Sequence, residues 1–400
     1  MHKITYRLFG LFLICNFTLS AQSPETWLPT AGSHGEIHHP VTFAIGDFGY
    51  SLTGTNNFNS NTDDVKRYNP VTDTWANLSD FPGGARGFSI GLAYNGSGYV
   101  GFGVNGSNYF RDLWRLDTAT MQWTQLANCP CKARRHPAMM AAHGKIYVGL
   151  GNDNTGDLKD FHVYDIASNT WSALPDIPGS TRHHPFMFTA GGEVYAGMGH
   201  GGQIIYDDWY RYDTATNTWQ TMTDFPGEAR VAGTQFSHRG AGYVLSGDGD
   251  NHNFMNTGEF WRYNDQSDTW TQLSPHPGVS RWAPGSFVIG DTLYFFGGVN
   301  RQAQSFPTDM HKFWFNSDGV SLTENPITAF NWHPNPSDGV IFVDNPEVDA
   351  VILRDLQGRI LESQKVDSGR IEFSREHQGV YLIEIIMDSG ERRFDRIVLQ

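Results

Sequence analysis

The segment Tyr212-Asp-Thr-Ala-Thr-Asn-Thr-Trp219 decides how this chain folds, because its pattern returns along most of the sequence. The tryptophan recurs every 48 residues at Trp27, Trp75, Trp123, Trp171 and Trp219, and 51 residues later at Trp270. Asp or Asn stands six residues before five of these tryptophans, where its side chain can bond the backbone and set a tight turn. A period near 50 residues indicates a repeated structural unit.

Each repeat has enough alternating segments and turn signals for four strands. In the repeat over residues 86–126 we predict strands near 87–94, 98–103, 111–117 and 121–126. A four-stranded sheet with two apolar faces cannot cover itself, whereas stacking sheets around an axis buries both faces of each. The expected fold is therefore an all-β propeller.

The ends of the repeat array predict the number of blades. Trp27 has no three strands before it, while residues 309–313 resemble a third strand with no tryptophan strand after it. Pairing these two ends gives six blades closed by the N-terminal strand. Closure is favoured because an open ring would expose two sheet faces.

Two segments, residues 68–75 and 212–219, resemble the strand-turn-strand signature of the kelch family. The resemblance covers about residues 25–316 and implies a kelch β-propeller. One feature departs from the family, since its paired glycine survives only as Gly297-Gly298.

The N-terminus and the charge limit where this protein acts. Residues 1–21 carry Lys3 and Arg7 and then an apolar run, which is typical of a cleaved secretory signal peptide. No later run approaches the roughly 18 apolar residues of a membrane span, so no transmembrane segment is expected. With 42 acidic against 28 basic residues the net charge is -14, which disfavours nucleic acid as a partner. Cys129 and Cys131 are expected to form a local disulfide or to remain inert thiols.

The 48-residue rhythm stops after residue 325, and short alternating strands over residues 326–400 predict a small β-sandwich. This segment resembles the C-terminal sorting domain of the bacterial type IX secretion system through Pro334-Asn-Pro336, residues 355–359 and Gly379-Val-Tyr381. The resemblance implies that the type IX machinery is a partner and that the protein reaches the outer-membrane surface or the exterior of a diderm bacterium. An ordinary accessory sandwich is the alternative. The predicted domains are thus 1–21, 22–325 and 326–400.

One face of the propeller carries the long loops, and there the repeat brings charged residues to equivalent positions. Eleven residues after the tryptophan stand Arg86, Arg134, Arg182, Arg230 and Arg281, with His38 in the first repeat. Eleven residues before it stand Asp64, Asp112, Asp160, Asp208 and Glu259, and Asp309 fits by alignment. These residues either form a ligand-binding ring or pair with one another to tie the blades together.

Histidines follow two of the ring arginines, at His136 and at His183-His184. Arginine forks hold carboxylates at two points, and Trp282 is suited to stack on a sugar ring. The candidate ligand-binding residues are therefore His38, Arg86, Arg134, His136, Arg182, His183, His184, Arg230, Arg281 and Trp282. No cofactor is expected, and no metal site is predicted because neither HxH nor HxxxH spacing occurs on one strand.

The favoured function is a binding module for a glycan or a protein or peptide ligand, and the alternative is a carbohydrate-active enzyme. Kelch propellers include a copper radical oxidase of galactose and a sialic acid epimerase. The oxidase needs a cysteine cross-linked to a tyrosine beside two histidines, and Cys129 and Cys131 lie together in one loop. A sugar epimerase or mutarotase needs an acid and a base, for which Arg182, His184 and Glu228 are candidates, but no catalytic residue is assigned.

Overall fold

The structure, a computed structural model, describes residues 26–57, 59–315, 332–333, 337–343, 348–354, 360–366, 369–374, 376–387 and 392–399. Contacts divide the chain into two units, one ending at residue 318 and one starting at 319, and each is described by itself. The predicted signal peptide, the predicted boundary at residue 325 and the segments 334–336 and 355–359 lie outside the described residues.

The described part of the first unit contains thirty strands and one short 3-10 helix, Asp250–His252. The first half runs β1 (Trp27–Pro29), β2 (Val41–Ile45), β3 (Phe48–Leu52), β4 (Val65–Asn69), β5 (Thr74–Asn77), β6 (Ile90–Tyr94), β7 (Ser97–Gly101), β8 (Val104–Asn105), β9 (Asn108–Tyr109), β10 (Leu113–Asp117), β11 (Gln122–Gln125), β12 (Ala138–Ala142), β13 (Lys145–Gly149), β14 (Asn152–Asp153), β15 (Gly156–Asp157), β16 (Phe161–Asp165) and β17 (Thr170–Leu174). The second half runs β18 (Phe186–Ala190), β19 (Glu193–Gly197), β20 (His200–Gly201), β21 (Ile204–Ile205), β22 (Trp209–Asp213), β23 (Thr218–Thr221), β24 (Thr234–His238), β25 (Ala241–Leu245), β26 (Gly258–Asn264), β27 (Thr269–His276), β28 (Gly285–Ile289), β29 (Thr292–Phe296) and β30 (Met310–Trp314).

Twenty-four of these strands form four-stranded antiparallel sheets that follow the sequence repeat, and the others form the two-stranded sheets β8-β9, β14-β15 and β20-β21. In the described residues of this unit the four-stranded sheets are β2-β3-β4-β5, β6-β7-β10-β11, β12-β13-β16-β17, β18-β19-β22-β23, β24-β25-β26-β27 and β28-β29-β30-β1. The four strands predicted over residues 86–126 are confirmed with small shifts at their ends. In the last of these sheets β1 lies beside β30, with Trp27 opposite Phe313. The first strand of each sheet packs against that of the next, and β28 also packs against β2.

The indole nitrogen of Trp75 is buried without a hydrogen-bond partner, but four other repeat tryptophans tie their sheet to the one before it. Their indole Nε1–H groups donate to backbone carbonyls 44–47 residues earlier in the chain: Trp171 to Ala127 (2.7 Å), Trp219 to Pro175 (2.9 Å) and Trp270 to Thr223 (3.4 Å). Trp27 donates in the same manner to Ser274 at 2.9 Å, although Ser274 lies 247 residues away in the chain. In these four repeats the indole thus adds a directional bond to its apolar packing.

The turn before each tryptophan strand uses a left-handed residue. In four repeats this residue is Asp or Asn, and it accepts a hydrogen bond from the tyrosine hydroxyl five residues earlier: Tyr68–Asp73 (2.6 Å), Tyr164–Asn169 (2.8 Å), Tyr212–Asn217 and Tyr263–Asp268 (2.7 Å). The second repeat changes both members together, to Leu116 and Met121, which pack in one apolar cluster. A polar contact there is replaced by an apolar one, so the turn is preserved.

The missing paired glycines have a backbone explanation. The residue directly after the second strand of each four-stranded sheet is left-handed, with φ of 54° at Thr53, 62° at Phe102, 59° at Leu150, 53° at Met198, 63° at Ser246 and 63° at Gly297, and a glycine follows it. Five repeats therefore place a side chain where a glycine would adopt this conformation without strain. The departure seen in sequence changes the residue type and leaves the backbone path intact.

The described residues of the second unit form two antiparallel sheets. Its strands are β31 (Trp332–His333), β32 (Val340–Val343), β33 (Val348–Arg354), β34 (Ile360–Lys365), β35 (Arg370–Glu372), β36 (Gly379–Met387) and β37 (Arg392–Leu399), ordered β31-β32-β35 and β34-β33-β36-β37. Ile341 and Ile371 of one sheet share an apolar cluster with Val351 and Ile383 of the other. The two sheets thus bury one common core, as in a sandwich.

Candidate functional site

The five predicted ring arginines are buried and paired. Arg86, Arg134, Arg182 and Arg230 are 0% exposed and Arg281 is 6% exposed. Each forms an ion pair with a predicted acidic residue: Arg86–Asp112 (2.7 Å), Arg134–Asp160 (2.7 Å), Arg182–Asp208, Arg230–Glu259 and Arg281–Asp309 (2.8 Å). Each also donates to the carbonyl 16 residues ahead, as Arg134 does to Leu150 at 3.0 Å. These guanidinium groups thus hold loops of the fold in place through ion pairs and hydrogen bonds. This matches the alternative from the sequence in which the ring residues pair with one another.

The first repeat has a different residue at the arginine position. A glycine amide of each repeat donates to the backbone carbonyl at the arginine position of another: Gly54 to Arg86 (3.0 Å), Gly103 to Arg134 (2.9 Å), Gly151 to Arg182 (2.9 Å), Gly199 to Arg230 (3.4 Å), Gly247 to Arg281 (3.1 Å) and Gly298 to Ile37 (2.8 Å). The last bond assigns this position to Ile37. The alignment of His38 with the ring arginines was therefore wrong by one residue, because the first repeat is one residue shorter after its tryptophan.

Two residues after the arginine position, one residue of each repeat lines a shared cavity of ≈ 120 Å³. These residues are His39, Phe88, His136, His184, Ala232 and Ala283, and all are left-handed, with φ between 50° and 58°. A left-handed non-glycine residue costs about 1–2 kcal/mol. Because all six repeats adopt this conformation, it belongs to the repeated backbone, and only the side chains differ between repeats. We call this the axial cavity.

Three of the axial residues are histidines that converge. Nε2 of His39 lies 3.1 Å from Nε2 of His184, and the ring centroids of His136 and His184 are 3.7 Å apart. One ring nitrogen from each of the three lies within 4.8 Å of those of the other two. The axial cavity thus gathers three imidazoles from loops of three different repeats.

Further side chains bond the outer nitrogens of these rings. Nδ1 of His39 lies 2.7 Å from Nδ1 of His38, and Nδ1 of His184 lies 3.4 Å from Nε2 of His200. Nδ1 of His136 lies 3.4 Å from the amide oxygen of Asn152, while its Nε2 is buried without a hydrogen-bond partner.

The electrostatics of the axial cavity favour neutral imidazoles. Burial lowers the pKa of His39, His136 and His184 well below 6.5, and neighbouring imidazoles lower each further. Burial, followed by the positive charge of Arg301, lowers the pKa of His38 to about 4. At neutral pH each ring therefore keeps one nitrogen lone pair.

A second cavity of ≈ 620 Å³ shares Phe88 and adjoins His38, and we call it the outer pocket. Trp282 and Phe306 supply aromatic lining, and Arg135 and Arg301 supply positive charge. The guanidinium carbon of Arg301 lies 4.7 Å from the centre of the Trp282 ring, and its Nε lies 2.6 Å from Asp248. Burial raises the pKa of the Asp248 carboxyl to about 7, although Arg301 opposes this shift.

The remaining predicted residues fall in different places. Trp282 and His38 line the outer pocket, whereas Nδ1 of His183 lies 2.6 Å from Asp157. Sequence reasoning missed Arg135 and Arg301. Arg135 follows Arg134 as Trp282 follows Arg281, so a complete alignment of the repeats would have placed it in the pocket. Arg301 lies on an irregular loop and gives no repeat signal.

The proposed epimerase residues are not brought together in the described part of the chain. Arg182 is paired with Asp208, and Oε1 of Glu228 accepts a hydrogen bond from the backbone amide of Asp250 at 3.0 Å. His184 instead contacts other histidines of the axial cavity. Cys129 and Cys131 form a disulfide, which excludes the alternative of two inert thiols.

A family model described as the KLHDC2/KLHL20/DRC7 Kelch-repeats domain matches residues 54–180. Residues 54–180 are thus similar to kelch repeats. Together with the all-β architecture, the match supports a kelch-type β-propeller, a fold suited to protein interaction. A search of curated proteins finds no match. Among the residues that the structure describes, no helix is both long and apolar enough to cross a membrane.

Proposed function

We propose that the first unit is a six-bladed propeller that binds a carboxylate-bearing ligand, a peptide or an anionic glycan, in the outer pocket. The observation that carries the proposal is the presence of Arg135 and Arg301 beside the aromatic wall of a cavity of ≈ 620 Å³. Ligand pockets commonly measure about 300–1,000 Å³ and combine apolar walls with a few polar groups.

Blade number and closure are part of the proposal. The packing of β28 against β2, the pairing of β1 with β30 and the bond from Gly298 to Ile37 all support a ring in which the last sheet meets the first. A ring explains why Trp27 uses the same indole bond as Trp171, Trp219 and Trp270 although its partner is 247 residues away.

The chemistry of the outer pocket favours an anion over a neutral sugar. Guanidinium groups bind carboxylates through two parallel hydrogen bonds, and an aromatic wall holds the adjoining apolar or ring surface. The ring arginines do not take this role because they are at most 6% exposed and paired with acidic residues, whereas the Arg301 side chain is 38% exposed although its Nε pairs with Asp248. His38 and Trp282 remain in the ligand-binding set, and Arg135 and Arg301 join it.

The test is a peptide and glycan array, followed by titration of the best ligand as free carboxylate and as its amide. Arg135→Ala and Arg301→Ala are each expected to weaken binding of the carboxylate form by about tenfold, equal to about 1.4 kcal/mol. The amide should be weak for all variants. Arg239→Ala is the matched control, because Arg239 pairs with Asp291 beside a tight turn outside the pocket.

Two results would contradict this function. Equal binding by wild type and both pocket variants would remove the outer pocket as the site. NMR can detect whether the wild type converts one sugar anomer or epimer into another. Such a conversion would favour the epimerase or mutarotase alternative.

We further propose that the protein is secreted and that residues 326–400 direct it through the type IX machinery to the cell surface or the exterior of a diderm bacterium. The sequence pattern of this segment and the two-sheet arrangement of the second unit support the proposal. A reporter fused to residues 326–400 should leave the periplasm of a competent host, and retention there would contradict it.

A further inference from the structure

The axial cavity contains an arrangement that the binding function does not use. Three imidazoles, each from a different repeat, occupy one equivalent backbone position and turn ring nitrogens toward one another within 4.8 Å. The other three repeats hold Phe88, Ala232 and Ala283 there, so the backbone accepts residues without any metal-binding group. The fold therefore does not require histidine at this position in these three repeats.

The outward hydrogen bonds are compatible with one tautomer in all three rings. Each Nδ1 faces an outward group able to accept a hydrogen bond: Nδ1 of His38, the amide oxygen of Asn152 and Nε2 of His200. With the proton on Nδ1, each Nε2 carries a lone pair. This arrangement gives each ring one outward hydrogen bond, the usual way in which proteins orient metal-binding imidazoles.

A cation between these rings would give each Nε2 a partner. Without one, the Nε2–H of His39 or of His184 donates to the other Nε2 across 3.1 Å, whereas Nε2 of His136 is buried without a partner. Two ligands of a tetrahedral zinc ion, each at about 2.0–2.1 Å from the metal, lie about 3.3 Å apart. The observed 3.1 Å is close to that edge.

We propose that His39, His136 and His184 bind one divalent transition-metal ion, with Zn²⁺ the best match. Imidazole ligands select zinc, copper or nickel over calcium and magnesium. Three protein ligands leave a fourth position, which the axial cavity of ≈ 120 Å³ has room to fill with water or another small ligand. Arg135 and Arg301 are the nearby cations, and each is engaged by an oxygen acceptor, Asn152 and Asp248 respectively.

The experiment uses the full chain, purified without a polyhistidine tag and freed of metal with EDTA. Zn²⁺, and in parallel Ca²⁺, is titrated by calorimetry, and bound zinc is counted by elemental analysis after dialysis. We expect one Zn²⁺ per chain, no Ca²⁺ binding, a higher melting temperature with zinc, and visible absorption typical of tetrahedral Co²⁺ after substitution.

Alanine variants are matched to the protein's own repeats, since Ala232 and Ala283 occupy the same position. His136→Ala and His184→Ala should keep the metal-free melting temperature within a few degrees and lower zinc affinity by more than about 100-fold. His200→Ala, which removes an outward partner, should lower it by about 10–100-fold. His143→Ala, at an exposed turn, should leave it unchanged.

Several outcomes would overturn the proposal. They are no zinc binding by the wild type, unchanged affinity in folded His39→Ala and His136→Ala, or an equal loss in His143→Ala. The group His183, His184 and His200 also lies within 4.8 Å and is a competing site. Loss of zinc in His183→Ala but not in His136→Ala would assign the metal to that group and reject ours.

Discussion

At the scale of single residues, comparing equivalent positions of the repeats shows which residues change together. Where the tyrosine before the turn becomes Leu116, the acceptor it would bond becomes Met121. The paired change shows that the hydroxyl and the Asp or Asn function together. Burial and the hydrogen bond to Asp268 both raise the pKa of Tyr263, as expected for a hydroxyl held beside a carboxylate.

Removing that hydroxyl should therefore have a measurable effect. Tyr263→Phe is expected to destabilise the protein by about 1–2 kcal/mol, because the lost hydrogen bond has a charged acceptor. Chemical denaturation measures this difference. Leu116→Phe, in the repeat without the polar pair, would report the effect of introducing an aromatic ring alone. A change below about 0.3 kcal/mol in Tyr263→Phe would show that the bond contributes little.

Some of the residue-level organisation was predictable and some was not. The arginines and their acidic partners were found from spacing because both lie at fixed distances from the tryptophan. His38 was misplaced because a one-residue deletion shifts spacing without altering residue types nearby. The convergence of His39, His136 and His184 could not be predicted from the sequence. The spacing of metal ligands along one strand does not report on side chains that come from three separate repeats.

At the scale of elements, β1 is the most informative strand. It is three residues long, yet Trp27 contacts Phe260, Phe295 and Phe313, with ring centroids 5.2–6.0 Å away. Its role was predicted by counting strands at the two ends of the repeat array. The small strand pairs β8-β9, β14-β15 and β20-β21 were not predicted, because two-residue strands have no periodicity to detect.

Loss of β1 should destabilise the whole first unit. Deleting residues 22–35 is expected to lower the melting temperature sharply, since the edge of β30 and the aromatic cluster around Trp27 become exposed. Trp27→Ala should cost about 3 kcal/mol, whereas Trp27→Phe should cost about 1 kcal/mol by losing only the bond to Ser274. Differential scanning calorimetry measures all three. An unchanged transition after the deletion would contradict closure by the N-terminal strand.

At the scale of the whole molecule, the repeat separates structure from function. The tryptophans, arginines and left-handed residues recur and hold the sheets together, while the cavity-lining residues vary from repeat to repeat. Variation at equivalent positions is what turns a symmetric scaffold into an asymmetric site. The repeat therefore predicted the four-stranded sheets, and for the same reason it could not predict the pockets, which depend on where the repeats differ.

The same burial that stabilises the first unit should make it sensitive to acid. Burial lowers the pKa of His34 and His276 to about 3 from 6.5, with neighbouring Lys66 and Arg281 acting in the same direction, while Asp309 opposes the shift at His276. Below pH 6.5 the unfolded chain takes up protons that the folded protein does not, so stability must fall from pH 6.5 towards about pH 3.

Each such histidine can contribute up to about 1.4 kcal/mol per pH unit in that interval. Melting temperatures at pH 7.5, 6, 5 and 4.5, recorded with EDTA, should therefore decline. His34→Phe should reduce the decline, because the ring of His34 already packs between Trp75 and Phe296, with centroids 4.7 and 4.9 Å away, and a phenyl group there has no charge to gain. Exposed His143→Phe should leave the decline unchanged. A decline as steep in His34→Phe as in the wild type would show that this buried imidazole does not govern acid sensitivity.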